Sequence, residues 1–514
     1  MLSWLTRGRV DHPMADMKKA RQLVVDLLAH DSFRVLEESA TWLDSINGTD
    51  GFRLDHRLEL IDLLDRGAKH HQTRLAQEYL EAPRLQKSYE GRLWNASFGF
   101  WKILGGAYLQ CIEHYQAGAP GARAVKKDLQ LLAGRALRAL AVQLKWLLLR
   151  YGRVEDRIWR DLGRAYLFAE SEGLAAQRAV IYPGVHGESS VQEEFLKALM
   201  LVMCAPDGLN PTRIHIAERI VAHFAGRFLL QTKAEARCRF CFDLNMHRPP
   251  ARTSKDTQAS PMIRFFGPGD AAPALRHLML EIEEKDGLPD DLNLGKKFDK
   301  TLVRPVLAHL EQYWADRPPV RSTLRSELAT RVTVVPGFPG AVRWMQAAMD
   351  ASSLEFSDPE TAESWIVFNM SDGGYGAIVP RVREDWLGIG SLLGLRPETA
   401  AGCSIGIIRR VTRDQYEQRR VGIQTLGKTA VPVMLSPVTA HGDAIAGRTG
   451  GPGILLSDKA DRNGEIAVLM RAGGFTDNQY FQMHLRQAYF LAPAGLIESG
   501  DEFDWARFRI VKQL

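Results

Sequence analysis

The stretch WIVFNMSDGGYGAIVP, residues 365–380, contains two apolar runs separated by a polar insert. Aromatic and β-branched residues dominate the first run, and Ala-Ile-Val continues the pattern after the insert, so both flanks are predicted to be β-strands. Asn369 and Ser371 carry short side chains that hydrogen-bond close to the backbone, while Gly373 and Gly374 permit positive φ. The stretch therefore predicts two strands joined by a tight polar turn.

Similar runs surround this turn. Short apolar segments separated by glycine, proline or charged residues follow one another to the end of the sequence: RVTVVPGF, SWIVFNMS, YGAIVP, CSIGIIRRV, RVGIQTL, AVPVMLSP, GILLS and EIAVLMRAG. Many short strands with turn signals between them indicate an antiparallel β-barrel or sandwich. We expect a barrel over residues 317–437 and a β-rich region over residues 438–514, which is either a second small barrel or an extension of the first sheet.

The chain before the Pro318-Pro319 pair has a different spacing of apolar residues. Apolar residues recur every three or four positions up to about residue 230, which predicts helices throughout. Short strand-like runs with proline and glycine breaks follow over about residues 231–268, and helical runs then return. We therefore predict a multidomain α + β protein with an all-α helical array over residues 1–316, followed by the barrel and the β-rich region.

Two helical segments share an aromatic pattern. WKILGGAY, residues 101–108, and WRDLGRAY, residues 159–166, both fit W-x2-L-G-x2-Y. This is the first-helix pattern of tetratricopeptide repeats, in which the glycine lets a paired helix approach closely. The segments weakly resemble a helical repeat of that kind, which would bind a protein partner. Two independent aromatic core helices explain the pattern equally well.

The longest apolar helix candidate is LLAGRALRALAVQLKWLLLRYGR, which begins at Leu131. Arginine and lysine residues interrupt it, so we expect no transmembrane segment here. Its leucines recur at helical spacing. This fits a core helix with a basic outer face, or a helix that lies on a membrane surface.

Bulk composition limits the classes of function. The chain has 514 residues, of which 45% are hydrophobic and 25% charged, as in ordinary soluble globular proteins of several domains. The net charge of +5 is small and the basic residues are dispersed among acids, so we do not expect nucleic acid as a partner. Five cysteines cannot form a disulfide framework, and the first residues lack a secretory apolar region, so we expect a cytoplasmic protein.

Two short motifs suggest other chemistry and are set aside. Cys238 and Cys241 form a C-x-x-C near His247, but structural zinc needs four ligands and no second pair stands at ligand spacing, so we expect buried cysteines and no metal. The run from Gly422 to Thr429 fits the phosphate-loop pattern G-x-x-x-x-G-K-[ST]. That loop must open a helix, and the following AVPVMLSP is strand-like, so we do not expect a nucleotide hydrolase. The sequence contains no H-E-x-x-H and no kinase motif set, so we expect no enzyme and no cofactor.

Arginines precede the first predicted barrel strand in DRPPVRSTLRSELATRVTVV. They are spaced four residues apart at first, with one more at the start of the strand: Arg317, Arg321, Arg325 and Arg331. A solvated basic edge or the last turn of a helix would also give such a series. The two prolines disfavour a regular helix, so an extended segment that folds over a ligand fits better. We refer to residues 317–325 as the arginine segment.

Two motifs resemble those of the PilZ family, the bacterial receptors for cyclic di-GMP. That family carries R-x-x-x-R before a β-barrel and (D/N)-x-S-x-x-G on a barrel strand and turn. Arg321-Ser-Thr-Leu-Arg325 is similar to the first motif and Asn369-Met-Ser371-Asp-Gly-Gly374 to the second. CSIGIIRRV and RRVGIQTLG look like the paired strands that close such a domain. The resemblance covers residues 317–437.

The resemblance implies a ligand with two phosphates and two guanines. The planar fork of arginine binds phosphate, or guanine O6 and N7, through two hydrogen bonds. By resemblance, Asn369 and Ser371 would hydrogen-bond guanine and nearby backbone, and Gly374 would let the chain pass close to the flat ligand. The candidate ligand-binding residues are Arg317, Arg321, Arg325, Arg331, Asn369, Ser371 and Gly374.

The sequence departs from the family pattern in two ways. The distance between Arg325 and Asn369 is long, because GAVRWMQAAMDASSLEFSDPETAES is inserted as a predicted helix and acidic loop. The arginine frame is ambiguous, since Arg317-Pro-Pro-Val-Arg321 also fits R-x-x-x-R and Arg331 is a further candidate. Two functions stay open: a cyclic di-GMP effector that couples ligand binding to a helical protein-interaction domain, and a ligand-free, degenerate PilZ scaffold that binds proteins.

Overall fold

The structure, a computed structural model, describes residues 10–81, 86–183, 187–255, 257, 259–285, 287–295, 297–319, 326–350, 359–380, 386–398, 402–427, 429–445, 447–456, 460–485 and 487–513. The chain divides into two compact units, Met1–Val320 and Arg321–Leu514. The division falls beside the Pro318-Pro319 pair, where the spacing of apolar residues changes from helical to strand-like. The first unit is mainly helical and the second mainly strands, so the predicted α + β fold class is confirmed.

Helices fill most of the first unit. They are α1 (Met17–Leu28), α2 (Ser32–Gly48), α3 (Leu54–Glu81), α4 (Lys87–Gln116), α5 (Ala122–Val125), α6 (Leu129–Leu149), α7 (Asp156–Ser171), α8 (Val191–Met203), α9 (Pro211–His223), α10 (Ala271–Glu284) and α11 (Lys300–Trp314). Several begin at a side chain that accepts a backbone N–H of the first turn, as Asp31 does for α2 and Asn210 for α9. Among the described helices none is long and apolar enough to cross a bilayer.

Helix α6 is the central helix of the first unit and packs against α4, α7, α8 and α9. Most of its side chains are buried, so the predicted core helix is confirmed. The expected basic outer face is wrong. Arg135 is buried, and Arg138 and Lys145 form ion pairs with Glu194 of α8 and Glu218 of α9, so the basic side chains of α6 point into the helical unit.

The two W-x2-L-G-x2-Y segments lie in α4 and α7, where their glycines meet different neighbours. A Cβ at Gly105 would contact Leu140 of α6 at 3.6 Å, an ordinary distance. A Cβ at Gly163 would lie 2.2 Å from the carbonyl oxygen of Leu244, which belongs to a loop. Different contacts therefore explain the shared glycine, and a helical repeat stays a prediction.

A small antiparallel sheet packs on the helices of this unit. Its strands are β3 (Leu229–Gln231), β4 (Phe240–Asp243), β5 (Ala251–Arg252) and β6 (Ile263–Gly267), in the order β3-β6-β4-β5, and a separate two-stranded pair is formed by β1 (Arg178–Ala179) and β2 (Ser189–Ser190). Phe240 and Phe266 join the helical core. Cys238 is buried and Cys241 half-buried, and the described residues contain no cluster of metal-ligating side chains.

The second unit begins with a closed barrel, called the first barrel below. Its strands are β7 (Ser326–Pro336), β8 (Glu363–Ser371), β9 (Gly374–Val379), β10 (Leu392–Pro397), β11 (Ser404–Arg413) and β12 (Arg419–Gly427). The order around the ring is β7-β8-β9-β12-β11-β10, and all neighbours are antiparallel. The predicted inserted helix is α12 (Phe338–Asp350), between β7 and β8. Most of the acidic loop predicted after it, residues 351–358, lies outside the described residues.

A second closed barrel follows. Its strands are β13 (Val431–Val438), β14 (Gly451–Leu455), β15 (Glu465–Arg471), β16 (Tyr480–His484), β17 (Ala488–Ser499) and β18 (Phe503–Gln513), in the ring order β13-β14-β15-β18-β17-β16. Of the two alternatives for residues 438–514, the structure shows the second barrel. The predicted boundary after residue 437 falls inside β13, which pairs with β14 and β16, so this barrel begins at Val431.

Helix α12 lies between the two barrels. Its buried apolar side chains join one cluster with residues of both barrels: Phe338, Ala341, Val342 and Met345 of the helix, Leu392, Ile405 and Ile407 of the first barrel, and Ile454, Leu456, Leu469 and Phe503 of the second. A bidentate ion pair between Arg409 and Glu498 also joins the barrels, at 2.6 and 2.5 Å. The barrels therefore share a core outside their own interiors.

The phosphate-loop match falls at the junction between the barrels. β12 runs through Gly427, and β13 begins at Val431, two residues after Thr429. A Cβ at Gly427 would lie 2.2 Å from the carbonyl oxygen of Leu456, so this glycine serves the packing of the strands. The match therefore lacks the helix N-terminus that a phosphate loop requires.

Candidate ligand-binding surface

The β8–β9 hairpin contains the polar turn, residues 369–374. Ser371 and Gly374 are Cα partners, so Asp372 and Gly373 form a two-residue turn, and the predicted pair of strands with a tight turn is confirmed. Gly374 has φ +153°, and a Cβ there would lie 1.9 Å from the carbonyl oxygen of Ile423 on β12. The barrel's own strands therefore require glycine at this position.

A bulge in β8 decides where Asn369 points. Val367 pairs with Ala377 and Asn369 with Gly376, so Phe368 is an extra residue in β8. Val367 and Ala377 are buried inside the barrel, and alternation along β9 places Gly376 on the outer face. A Cβ at Gly376 would lie 2.3 Å from Oδ1 of Asn369. The bulge thus places the Asn369 side chain on the outer face, over a glycine.

Asn369 belongs to a row of paired residues that crosses four strands. Gly376 pairs with Gly422 of β12, and Gly422 pairs with Arg410 of β11. We call Asn369, Gly376, Gly422 and Arg410 the outer-face row. Strands lie about 4.8 Å apart, so the row is roughly 14 Å long. Its two central members have no side chains, and side chains of their neighbours lie over them: the Asn369 amide and the Phe368 ring over Gly376, and the Arg410 side chain over Gly422. The row therefore presents an amide and a guanidinium supported on glycine backbone.

A parallel row brings two more arginines to the same face. Its paired members are Arg331, Ile366, Ile378, Arg420 and Thr412. The guanidinium of Arg420 lies 5.4 Å from the ring centroid of Phe368, a cation–π distance. Arg331 donates to Ser364 Oγ at 3.4 Å. The outer face of β7–β8–β9–β12–β11 thus combines glycine backbone, guanidinium groups and an aromatic ring.

Asp414 accompanies Arg420 in the loop between β11 and β12. Their side chains lie 3.1 Å apart. Desolvation raises the pKa of Asp414, but hydrogen bonds from the backbone of Tyr416 and Gln418 and from Arg420 outweigh it and hold that pKa below its usual value. Asp414 is therefore ionised at neutral pH, and an anion that contacts Arg420 would compete with it.

Of the four predicted arginines, Arg317 and Arg331 lie within the described residues. Arg317 is exposed in the first unit, and Arg321 and Arg325 lie outside the described residues. Arg325 immediately precedes Ser326, the first residue of β7, and Ser326 pairs with Met370. The first strand residue after the arginine segment therefore lies beside the polar turn.

Two predicted residues have positions that the register fixes. Arg331 pairs with Ile366, three residues from Asn369, so its backbone lies roughly 10 Å from that residue along β8. Ser371 donates its hydroxyl to the carbonyl oxygen of Gly374 at 3.4 Å, inside the turn. The structure thus places Arg331 on the same face as Asn369, and Ser371 where it stabilises the turn.

Arg410 and Arg420 were missed as site residues by the sequence analysis. Both belong to the arginine doublets of CSIGIIRRV and RRVGIQTLG, which were considered only as strands. In β11 the outward member depends on a register shift between Ile408 and Arg410, and in β12 it follows from the pairing of the buried Val421 with the buried Ala377. The doublets were a usable signal for positive charge, but only the register identifies the two outward-facing arginines.

Comparison with known proteins concerns the helical unit. Residues 18–235 match the model of a family described as the cyclic-di-GMP receptor FimW, N-terminal domain. The matched span runs from α1 to the loop after β3 and includes neither barrel. A search of curated proteins returns no match.

Proposed function

We propose that this chain is a cyclic di-GMP receptor whose first barrel is a PilZ-type domain that binds the dinucleotide on its outer face. Two separate parts of the chain support this ligand. The helical unit matches a family described as the N-terminal domain of a cyclic di-GMP receptor. The first barrel carries the motifs that resemble the PilZ family, and these lie outside the matched span.

One observation carries the proposal. In the sequence α12 and its following loop separate the arginine segment from the polar turn. In the barrel, Ser326, which directly follows Arg325 in the sequence, pairs with Met370, the neighbour of Asn369. The first described residue after the arginine motif, Ser326, therefore lies on the strand next to the polar turn, which supports a single binding site for both motifs.

The outer face offers chemistry suited to this ligand. Guanidinium groups bind phosphate or guanine through paired hydrogen bonds, and the Asn369 amide, which lies over Gly376, is suited to hydrogen-bond the edge of a base. The Phe368 ring and the Arg420 guanidinium provide surfaces on which a base stacks. One arginine–guanine pair contributes about 1–3 kcal/mol, so its loss weakens binding by about tenfold to more than a hundredfold.

The proposed activity is binding without turnover. It needs no metal and no cofactor, and it places the ligand-binding unit in the cytoplasm, where a bacterial second messenger acts. Binding fixes the arginine segment against the first barrel and biases the orientation of the helical unit, through which the chain contacts a protein partner. A ligand shifts such an equilibrium only by its differential affinity for the two states.

The test is calorimetric titration of the full chain with cyclic di-GMP. We expect the wild type to bind cyclic di-GMP. The variant Arg321→Ala/Arg325→Ala should bind it at least about a hundredfold more weakly. The control, Arg507→Ala/Arg509→Ala, removes two exposed arginines from β18 of the second barrel and should leave the affinity within about twofold. No binding by the wild type at about 0.1 mM, or equal binding by all three chains, would refute the proposal.

A ligand-free scaffold is the second candidate, and the glycines favour it. Gly374 is required by the carbonyl of Ile423, and Gly376 by the side chain of Asn369, so the motif has a structural explanation without any ligand. The two candidates differ in one simple measurement. A ligand specific to the native state raises the melting temperature, so an unchanged value in saturating cyclic di-GMP favours the scaffold.

A further inference from the structure

A charged cavity lies inside the helical unit. It has a volume of about 420 Å³, and α6, α8 and α9 form most of its walls. The helical residues that line it include Arg138, Lys145, Glu194, Lys197, Glu218 and Arg219. All of them fall within the matched span, residues 18–235. The cavity is separate from the surface of the first barrel and belongs to the other unit of the chain.

Two carboxylates in this cavity each face two cations. Glu194, which is fully buried, accepts from Arg138 at 2.7 Å and from Lys197 at 2.8 Å. Glu218 accepts from Lys145 at 2.7 Å, and Arg219 Nε lies 3.9 Å from the same oxygen. Each of these two carboxylates is thus compensated by more than one cation.

The titration behaviour of these groups agrees with an excess of positive charge. Burial raises the pKa of Glu194, but Arg138 and Lys197 outweigh it, so the pKa is well below its usual value and the carboxylate is ionised. Burial lowers the pKa of Lys145 and of Lys197, and their glutamate partners only partly restore it. An anion in the cavity would stabilise the charged form of both lysines.

The fold alone does not account for this arrangement. A buried ion pair is often no more stabilising than apolar side chains of the same volume, and a surplus buried charge costs stability unless something compensates it. Here the lining holds six lysine and arginine side chains against five aspartates and glutamates, a surplus of one positive charge, in a cavity that is large enough for a small molecule. The surplus is explained if a bound anion completes the set.

Acidic and amide side chains line the same cavity. Glu188, Asp291 and Asn293 offer oxygen atoms that accept hydrogen bonds, and Asp291 lies 3.5 Å from His223. A simple inorganic anion would use only the basic part of this lining. A molecule with a phosphate at one end and hydroxyl or amino donors at the other would use both parts.

From this we infer that the cavity of the helical unit binds a phosphorylated small molecule of mononucleotide size, with the phosphate against the Lys145, Lys197 and Arg219 side chains. This site is additional to the proposed cyclic di-GMP site and does not depend on it. It gives the helical unit a ligand of its own.

Calorimetric titration of the full chain with GMP, inorganic phosphate and guanosine tests the inference. We expect GMP to bind with a dissociation constant below about 1 mM, phosphate more weakly and guanosine not at all. Lys197→Gln should weaken GMP binding about tenfold or more, because it removes a charge-assisted hydrogen bond to the phosphate. Ala222→Leu fills the cavity without changing its charge and should abolish binding, which keeps the test valid if Lys197→Gln does not fold.

Two controls separate this site from others. Arg21→Gln removes an arginine whose side chain is 64% exposed and pairs with Glu59 on the surface of the same unit, and it should leave GMP binding unchanged. Arg321→Ala/Arg325→Ala should also leave it unchanged, even if that variant fails to bind cyclic di-GMP. The inference is refuted if neither GMP nor phosphate binds at about 1 mM, or if the Ala222→Leu chain binds GMP as the wild type does.

Discussion

The two barrels have the same strand order and different outer surfaces. If the six strands of each are numbered along the chain, both rings read 1-2-3-6-5-4. The second and third strands of the first barrel are joined by a two-residue turn next to Asn369 and Ser371, whereas β14 has the sequence GPGIL, without polar side chains, and is separated from β15 by residues 456–464. This barrel fold therefore does not depend on a polar turn.

The third and sixth strands are neighbours in both rings, and the side chains on their outer faces also differ between the two barrels. In the first barrel this pair of strands contributes Gly376 opposite Gly422 to the outer face. In the second barrel the outward pairs include Glu465 opposite Arg509, whose charged groups lie 3.6 Å apart. The second barrel thus has a pair of long charged side chains where the first has two glycines with the Asn369 and Arg410 side chains over them. The difference teaches that the shared strand order requires neither this glycine pair nor these outward arginines, and it supports the first barrel as the place of the proposed ligand site.

The largest effect expected from this comparison concerns two glycines. Gly374→Ala should destabilise the second unit by about 3 kcal/mol or more, because its Cβ would lie 1.9 Å from the carbonyl oxygen of Ile423. Gly495 of the second barrel has φ +150°, but a Cβ at this position would have no neighbour within 4 Å, so Gly495→Ala should cost about 1–2 kcal/mol. Urea unfolding of both variants measures the difference. Equal losses would show that backbone conformation alone, and not the contact with β12, requires glycine at residue 374.

Removal of the arginine at the end of the outer-face row should have the next largest effect. Arg410→Ala should weaken cyclic di-GMP binding by about tenfold to a hundredfold, because a charged, bidentate contact is lost. Arg509→Ala removes an arginine from the outer face of the second barrel and serves as the matched control. Titration calorimetry compares the two. If both variants bind as the wild type does, the ligand does not use the outer-face row.

Asn369 should contribute less than an arginine, because its hydrogen bonds are uncharged. Asn369→Ala should weaken cyclic di-GMP binding by about tenfold. Asn369→Asp keeps the acceptor oxygens and satisfies the (D/N)-x-S-x-x-G pattern, so we expect it to stay within about threefold of the wild type. Thermal unfolding of each variant without ligand checks that the hairpin is intact. An aspartate variant that binds more weakly than the alanine variant would contradict this role.

The smallest effect concerns the ion pair that joins the barrels. Arg409 and Glu498 are each about one-third exposed, with side-chain values of 33% and 31%. A double-mutant cycle with Arg409→Ala and Glu498→Ala should give a coupling energy of about 1 kcal/mol, because partial exposure to water weakens even a bidentate pair. Cyclic di-GMP binding should not change in either variant. A large loss of binding would mean that contact between the barrels controls the site.

Local pattern was enough to predict much of the fold. The alternation and turn residues of residues 365–380 predicted the β8–β9 hairpin, which depends on neighbours within a few positions that a single sequence contains. The inserted helix, α12, was predicted because the distance between Arg325 and Asn369 is longer than the PilZ pattern has. The second barrel was one of two predicted alternatives, because strand runs alone do not determine whether a sheet closes.

Features that depend on distant partners were not predicted. The bulge at Phe368, which turns Asn369 outward, exists only in the pairing of β8 with β9. The basic residues of α6 were expected at the surface, because their partners Glu194 and Glu218 lie on helices far along the sequence. The periodicity of a sequence predicts which face of a helix or strand is apolar, but it does not predict which other element packs against that helix or strand.

Hydrogen–deuterium exchange of the full chain, with and without cyclic di-GMP, tests the central claim most directly. The account predicts slower exchange in β8, β9, β11 and β12 of the first barrel, and no change in the equivalent strands β14, β15, β17 and β18 of the second. Protection confined to the second barrel or to the helical unit, or no protection at saturating ligand, would contradict it.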